Sequence, residues 1–158
     1  MRTVILAAVS AVLLAGLPGR EARADVKPHA LFGDGMVIQS GMDCRVWGTA
    51  APGERVGVKF EARGYNYERK AGRAAEAGKD GKWQVTLGIK DAKPGGPYTL
   101  TIAGKNKVVV KDVYVGEVWV CSGQSNMEQR LSTTADADRV IEGSANPNLR
   151  LFTVPHRR

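Results

Sequence analysis

The sequence predicts an antiparallel β-sandwich followed by one βαβ unit that begins a parallel α/β sheet. Residues 25–111 contain short segments of alternating apolar and polar residues separated by turn residues, a pattern typical of a small β-sandwich. After about residue 112 the apolar runs become nearly continuous, as in residues 118–121, which indicates a strand buried on both faces of a parallel sheet. Residues 1–24 precede both parts and have the pattern of an export signal.

Seven strands are predicted in the sandwich, each bounded by turn residues. The alternation of apolar and polar residues is clearest at residues 98–102. The Asp80-Gly81 pair predicts a hairpin turn between two consecutive strands. The predicted strands cover residues 36–39, 44–49, 56–60, 67–75, 83–87, 98–102 and 108–110.

Residues 112–158 are predicted to form the first βαβ unit of a doubly wound sheet. Thr133 or Thr134 is the expected N-cap of its helix, and the Asn146-Pro147-Asn148 turn separates the helix from the second strand. The predicted elements are a strand at residues 118–121, a helix at 136–143 and a strand at 149–154.

The N-terminus predicts export to a secreted or periplasmic location. Met1-Arg2 precede an apolar run at residues 4–17, and Ala22-Arg23-Ala24 provides the small residues of a cleavage site near Ala24. The apolar run is shorter than the roughly 20 residues of a membrane span. We therefore expect no membrane association after signal cleavage, with an uncleaved helix as the alternative.

Composition argues against a nucleic-acid partner, a metal site and a disulfide scaffold. Without residues 1–24, 20 basic and 15 acidic side chains remain, interleaved and without a block of like charge, so nucleic acid is not an expected partner. Two histidines and two cysteines provide no pair at metal-ligand spacing, and no cofactor is predicted. Cys121 is expected to be a buried small hydrophobe, and its pairing with Cys44 is left open.

The turn that follows the apolar run at residues 118–121 presents a candidate nucleophile. A serine hydroxyl needs an exposed position, a base and backbone N–H groups that stabilise an oxyanion. Gly123 permits a tight turn, and a helix that begins near Ser125 provides free N–H groups. Ser122 is the competing serine, but it precedes the glycine and is expected to lie in the strand. The alternative is an ordinary helix start that Ser125 or Asn126 caps.

Several segments, in their order and spacing, resemble the sialate O-acetylesterase family of SGNH-type carbohydrate esterases. Gly116-Glu117-Val118-Trp119 and Met127-Glu128 flank the serine turn as in that family. The resemblance implies an α/β/α flavodoxin-like SGNH hydrolase domain after the sandwich and removal of acetyl groups from sialic acids or related sugars. Further matching segments lie at residues 31–39, 46–48, 52–54, 80–83, 97–102 and 146–155.

The resemblance also assigns roles to residues of the serine turn. It implies that Ser125 is the nucleophile and that its backbone N–H is one oxyanion donor, with Gly123, Gln124, Asn126 and Met127 as supporting residues of the motif. The family's later glycine and asparagine donors and its Asp and His have no counterparts in the sequence.

We therefore expect the chain to be the N-terminal portion of such an enzyme and inactive alone, as a gene fragment or with the downstream half of a split hydrolase as its partner. The two histidines, His29 and His156, match no motif of the family and are not expected to be its base.

Two other functions are compatible with the sequence. One is a non-catalytic exported β-sandwich that binds glycans, which requires Trp47, Trp83, Tyr65 and Tyr67 to lie exposed on one face. The other is a wider SGNH acyl esterase that acts on xylan or lipid esters, because the serine turn does not encode the substrate. In the leading interpretation the partner is an O-acetylated sugar or glycan.

Overall fold

The computed structural model describes residues 25–62 and 71–154. Eight strands form a three-stranded sheet with order β1-β3-β6 and a five-stranded sheet with order β2-β8-β7-β4-β5. Strand β2 runs parallel to β8, and the other pairs are antiparallel. The strands are β1 Lys27–Pro28, β2 Val37–Gln39, β3 Cys44–Thr49, β4 Arg55–Ala62, β5 Ala71–Glu76, β6 Lys82–Leu87, β7 Gly95–Ala103 and β8 Lys107–Gly116.

The two sheets pack around a single apolar core. In β6 every second residue is buried, because the strand presents Trp83, Val85 and Leu87 to the other sheet. Leu100 and Ile102 of β7 meet them from the five-stranded sheet and are fully buried. Each such aliphatic side chain contributes about 1.5–3 kcal/mol of burial free energy, so the alternating pattern accounts for the sandwich.

Strands are found at the seven predicted positions of the sandwich, although residues 67–70 of the strand predicted at 67–75 lie outside the described residues, and one predicted connection is wrong. The Asp80-Gly81 turn does not join a hairpin, because β5 pairs with β4 in one sheet and β6 pairs with β3 in the other. An Asp-Gly pair reverses the chain locally, whereas burial of both apolar faces decides which strands pair. The two-residue strand β1, which contains Pro28, was not predicted.

Three connections at one end of the sandwich are joined by two polar side chains. The Glu54 carboxylate accepts hydrogen bonds from the backbone N–H groups of Lys105 (2.6 Å) and Ala51 (3.0 Å). The Asn106 side chain both accepts from the N–H of Val26 (2.6 Å) and donates to its carbonyl (3.1 Å). Because the N–H of Lys105 and then that of Ala51 favour the charged form, the pKa of Glu54 lies below its ordinary value.

The predicted βαβ unit does not form in the described residues. Residues 118–121 and 149–154 belong to no strand, and every residue of the first run is exposed. A strand of a parallel sheet is stabilised by neighbours on both sides and by helices on both faces, and the described part of the chain provides neither here. The flavodoxin-like sheet is thus not present among these residues.

The helix of the predicted unit is present, with different ends and a different cap. It spans Ala137–Glu142, and two short 3-10 turns precede it at Ser125–Met127 and Leu131–Thr133. The predicted caps are wrong, because the Thr133 and Thr134 hydroxyls donate to preceding carbonyls and the residue before the helix is Asp136 in a left-handed conformation.

Strand β8 continues through residue 112, where the sequence predicts the boundary between the sandwich and the α/β unit. It joins the predicted strand at residues 108–110 with the apolar lead-in at 113–115, and Asp112 between them has a positive φ of 55°.

The described residues include no helix long and apolar enough to cross a membrane. The export signal predicted at residues 1–24 lies outside the described residues.

Candidate active site around Ser125

Ser125 begins a single 3-10 turn, Ser125–Met127, that is exposed throughout. The N–H of Met127 donates to the Gln124 carbonyl (2.9 Å), and the N–H of Glu128 donates to the Ser125 carbonyl (3.1 Å). A Cβ atom on Gly123 would lie 2.7 Å from Cγ of Met127. The Met127 side chain therefore packs against the backbone of Gly123, at a position where a larger residue would clash. The structure thus brings Gly123 to Met127 together in one compact turn.

No described side chain acts as a base for Ser125. Its hydroxyl makes no hydrogen bond within residues 25–62 and 71–154. His29 lies elsewhere, with its Nδ1 accepting from the N–H of Leu31 (3.3 Å) and its ring 5.3 Å from that of Trp47. His156 lies outside the described residues. The competing Ser122 is not in a strand, contrary to expectation, and it is exposed, as Ser125 is.

We call residues 117–154 the serine segment, and its first residues are bound to the sandwich. The Glu117 carboxylate accepts hydrogen bonds from the Ser40 hydroxyl (2.8 Å) and the Gln39 side-chain amide (3.0 Å), and the N–H of Val118 donates to Gln39 Oε1 (2.7 Å). The bonds from Gln39 and then Ser40 lower the pKa of Glu117. Sequence reasoning missed Gln39 and Ser40, because each lies 77 or more residues from its partner.

Arg150 binds the other end of the serine segment to the same region. Its Nη1 donates to the carbonyls of Gly35 (2.9 Å) and Asp112 (3.1 Å) and to Oδ2 of Asp112 (2.9 Å). Its guanidinium carbon lies 4.2 Å from the centre of the Tyr114 ring. The sequence motif around Arg150 indicated a strand and gave no signal of this contact.

The aromatic surface required for glycan binding is divided between two faces. Trp83, opposite Gly48 in the neighbouring strand, is buried in the core, and its Nε1 has no hydrogen-bond partner there. Trp47, opposite Gln84, lies on the outer face of the sheet. The Trp47 ring is half-buried and lies nearly perpendicular to the ring of Phe32, with 4.9 Å between ring centres. The other two candidates, Tyr65 and Tyr67, lie outside the described residues.

The two cysteines are free and occupy different environments. Cys44 is half-buried, and burial raises its pKa to about 11. Cys121 is exposed rather than buried as predicted, because its segment is not part of a sheet. Among the described residues, no group of three or more His, Cys, Asp or Glu side chains could hold a metal ion.

Known proteins with similar sequences or structures are carbohydrate esterases. No family model matches the sequence. The chain is 32% identical over 115 residues to the sialate O-acetylesterase of Mus musculus, which covers 69% of this chain and 20% of that protein. It is 34% identical over 105 residues to the Homo sapiens sialate O-acetylesterase, which covers 63% of this chain and 19% of that protein.

The fold agrees with the sequence similarity. A carbohydrate acetylesterase from Xanthomonas citri has a similar structure, with a TM-score of 0.65 and 30% identity over 77% of this chain and 26% of that one. The chain spans about a fifth of the length of the curated relatives it matches. On these grounds of sequence and fold, the chain belongs to the sialate O-acetylesterase family.

Proposed function

We propose that the chain carries the nucleophile of an exported carbohydrate O-acetylesterase, with Ser125 as the attacking residue. The observation that supports this most strongly is the position of Ser125 at the start of an exposed, glycine-preceded turn. The relatives, named as sialate O-acetylesterases and a carbohydrate acetylesterase, favour an O-acetylated sugar or glycan as the substrate. Export by residues 1–24 and an SGNH hydrolase domain that begins near residue 112 belong to the same proposal.

The proposed reaction is a two-step acyl transfer. The Ser125 Oγ attacks the acetyl carbonyl carbon, its proton passes to a base, and the bond between that carbon and the sugar oxygen breaks as the sugar leaves with a proton. Water then attacks the acetyl-serine, releases acetate and restores the hydroxyl. Free N–H groups at the start of the turn, including that of Ser125, would stabilise the oxyanion.

The base and its acidic partner come from outside the described residues in this proposal. They lie in the same polypeptide or in a second one that completes a split hydrolase. Removal of the base from a serine triad costs about six orders of magnitude in turnover. We therefore propose that the 158-residue chain alone is inactive as an acetylesterase.

The proposal is tested by variants introduced into the gene in its own host. Extracts are assayed for acetate release from an O-acetylated sialic acid, so that a longer product or a second polypeptide is present if the host makes one. We expect Ser125→Ala to abolish the release that depends on this gene and the matched variant Ser122→Ala to preserve it. Release that survives Ser125→Ala but depends on the gene would contradict the assignment.

A further inference from the structure

The serine segment has almost no packing of its own that could fix its position. Of its 38 residues, all except Ala137 and Arg150 are exposed. The main packing partner of its helix is the 3-10 turn Leu131–Thr133 of the same segment. Regions with few buried contacts and exposed hydrogen bonds open readily, so within the described residues the placement of Ser125 depends on where the segment binds the sandwich.

Both ends of the serine segment bind one edge of the five-stranded sheet. Strand β2 is the edge strand, and β8 lies beside it. At the first end, Glu117 binds Gln39, the last residue of β2, and the adjacent Ser40. At the other end, Arg150 binds Gly35, which precedes β2, and Asp112 of β8. The segment is therefore a loop closed on this edge, and Ser125 lies within it.

The site that receives Arg150 is built by contacts that do not involve Arg150. The N–H of Gly35 donates to the Lys111 carbonyl (3.0 Å), and the N–H of Lys111 donates to Oδ1 of Asp34 (2.7 Å). Gly35 has a φ of 79°, and a Cβ atom there would lie 3.4 Å from Nη1 of Arg150. With Asp112 at a positive φ, this loop and strand present three oxygen acceptors to a single guanidinium nitrogen.

The contact is more than an exposed ion pair. An exposed pair contributes little, because water screens it and ordering two side chains is unfavourable. Here the Arg150 side chain is only 24% exposed, also satisfies two backbone carbonyls and covers the face of Tyr114. Arginine is suited to this combination, because its planar group stacks on an aromatic ring while its N–H groups donate.

We propose that Arg150 is a positioning residue, which holds the C-terminal end of the serine segment on the sandwich and thereby fixes the Ser125 turn. The sandwich then acts as the support of the turn rather than as an independent module. The link to catalysis rests on the proposed function, but the placement itself does not. A test that measures distance without measuring acetate release therefore separates the failure of one from the failure of the other.

The test uses the exposed Cys121 as a native labelling site beside the turn. The second labelling site is Thr86→Cys, at an exposed residue of β6 in the sandwich, in a Cys44→Ala background. Nitroxide labels at both sites give a distance distribution by pulsed electron spin resonance on the full chain. We expect a narrow distribution with Arg150 present and the loss of that narrow peak in Arg150→Leu.

Two further variants separate positioning from a general effect of charge or folding. Arg150→Lys retains the cation and should recover part of the narrow peak. Arg130→Leu removes an equal charge from an exposed side chain that makes no hydrogen bond or ion pair within the described residues, and should leave the peak unchanged. The sandwich should still unfold in one cooperative transition in all three variants, with only a modest fall in the thermal midpoint of Arg150→Leu, because the contacts of Arg150 with the sandwich are lost.

The proposal would be overturned by a narrow peak that survives Arg150→Leu, or by a distribution that is already broad with Arg150 in place. Equal broadening in Arg150→Leu and Arg130→Leu would also overturn it, as would the loss of the cooperative unfolding transition of the sandwich together with the peak.

Discussion

The sandwich and the serine segment contain similar apolar residues but use them differently. Leu87 and Leu100 of the sandwich are fully buried, whereas Trp119, Val120 and Leu151 of the serine segment are 84%, 91% and 88% exposed. Both regions have apolar runs that predict strands, but only the sandwich provides partner strands for them. The difference shows that an apolar run forms a strand only when its neighbours are also present.

The largest expected effect is the difference in stability loss when a leucine of each region is replaced by alanine. Leu100→Ala should destabilise the sandwich by about 2–5 kcal/mol, because it removes a fully buried side chain and leaves a cavity. Leu151→Ala should change the free energy of unfolding by less than about 0.5 kcal/mol, because the side chain is already in water. Urea unfolding followed by circular dichroism measures both. Equal effects would mean that the two regions are packed alike.

The next largest effect concerns a close approach inside the smaller sheet. A Cβ atom on Gly48 would lie 2.8 Å from Cα of Pro28 and 2.9 Å from Cζ2 of Trp83. Gly48→Ala should cost about 3 kcal/mol, because a strand backbone and a core ring must both move. Gly88→Ala is the matched control, since nothing lies within 4 Å of its Cβ position. A Gly48→Ala protein as stable as Gly88→Ala would show that β1 does not pack closely against β3.

A smaller, pH-dependent effect is expected from Glu54, the carboxylate that joins two turns of the sandwich. Its pKa is lowered in the folded state, so its contribution is present above the ordinary pKa of 4.5 and is lost as the pH falls through the folded value. Between pH 6 and the acid range, stability should therefore fall more steeply in the wild type than in Glu54→Gln.

Glu128→Gln in the serine segment is the control for this comparison, because the Glu128 carboxylate makes no hydrogen bond within the described residues. Its stability should follow the wild-type curve at every pH. If Glu54→Gln also follows the wild-type curve, the two turns are joined by other contacts.

The smallest effect concerns the reactivity of the two thiols and leaves the stability of the fold unchanged. Burial raises the pKa of Cys44 to about 11, so at neutral pH it has very little of the reactive thiolate. Cys121 is exposed in the serine segment. A disulfide-exchange reagent should titrate one thiol rapidly in the folded chain and a second only after unfolding. Two rapid thiols, or none, would contradict the placement of these residues.

The sequence predicted the sandwich strands well because their signals are local. Alternation in β6 and turn residues at both of its ends specify the strand without knowledge of its partner. The pairing of β6 with β3 was missed, because it depends on how two distant apolar faces meet. In the serine segment, the same apolar signals predicted strands that the described residues do not form.

The candidate site could be predicted only in part, for the same reason. The turn from Gly123 to Met127 is local and was predicted, whereas the contacts that bind its segment to the sandwich are not. Arg150 lies 38 residues from Asp112 and 115 from Gly35. No pattern in one sequence indicates such pairs, because each depends on the finished fold of the sheet edge.

The role of Ser125 is tested most directly by a fluorophosphonate probe, which forms a covalent adduct only with an activated serine. The protein is captured from the extract of its own host after treatment, and the modified peptide is identified by mass spectrometry. We expect an adduct on Ser125 that is absent in Ser125→Ala and that excess O-acetylated sialic acid prevents. An adduct on Ser122 instead, or acetate release that depends on the gene without any adduct on Ser125, would contradict it.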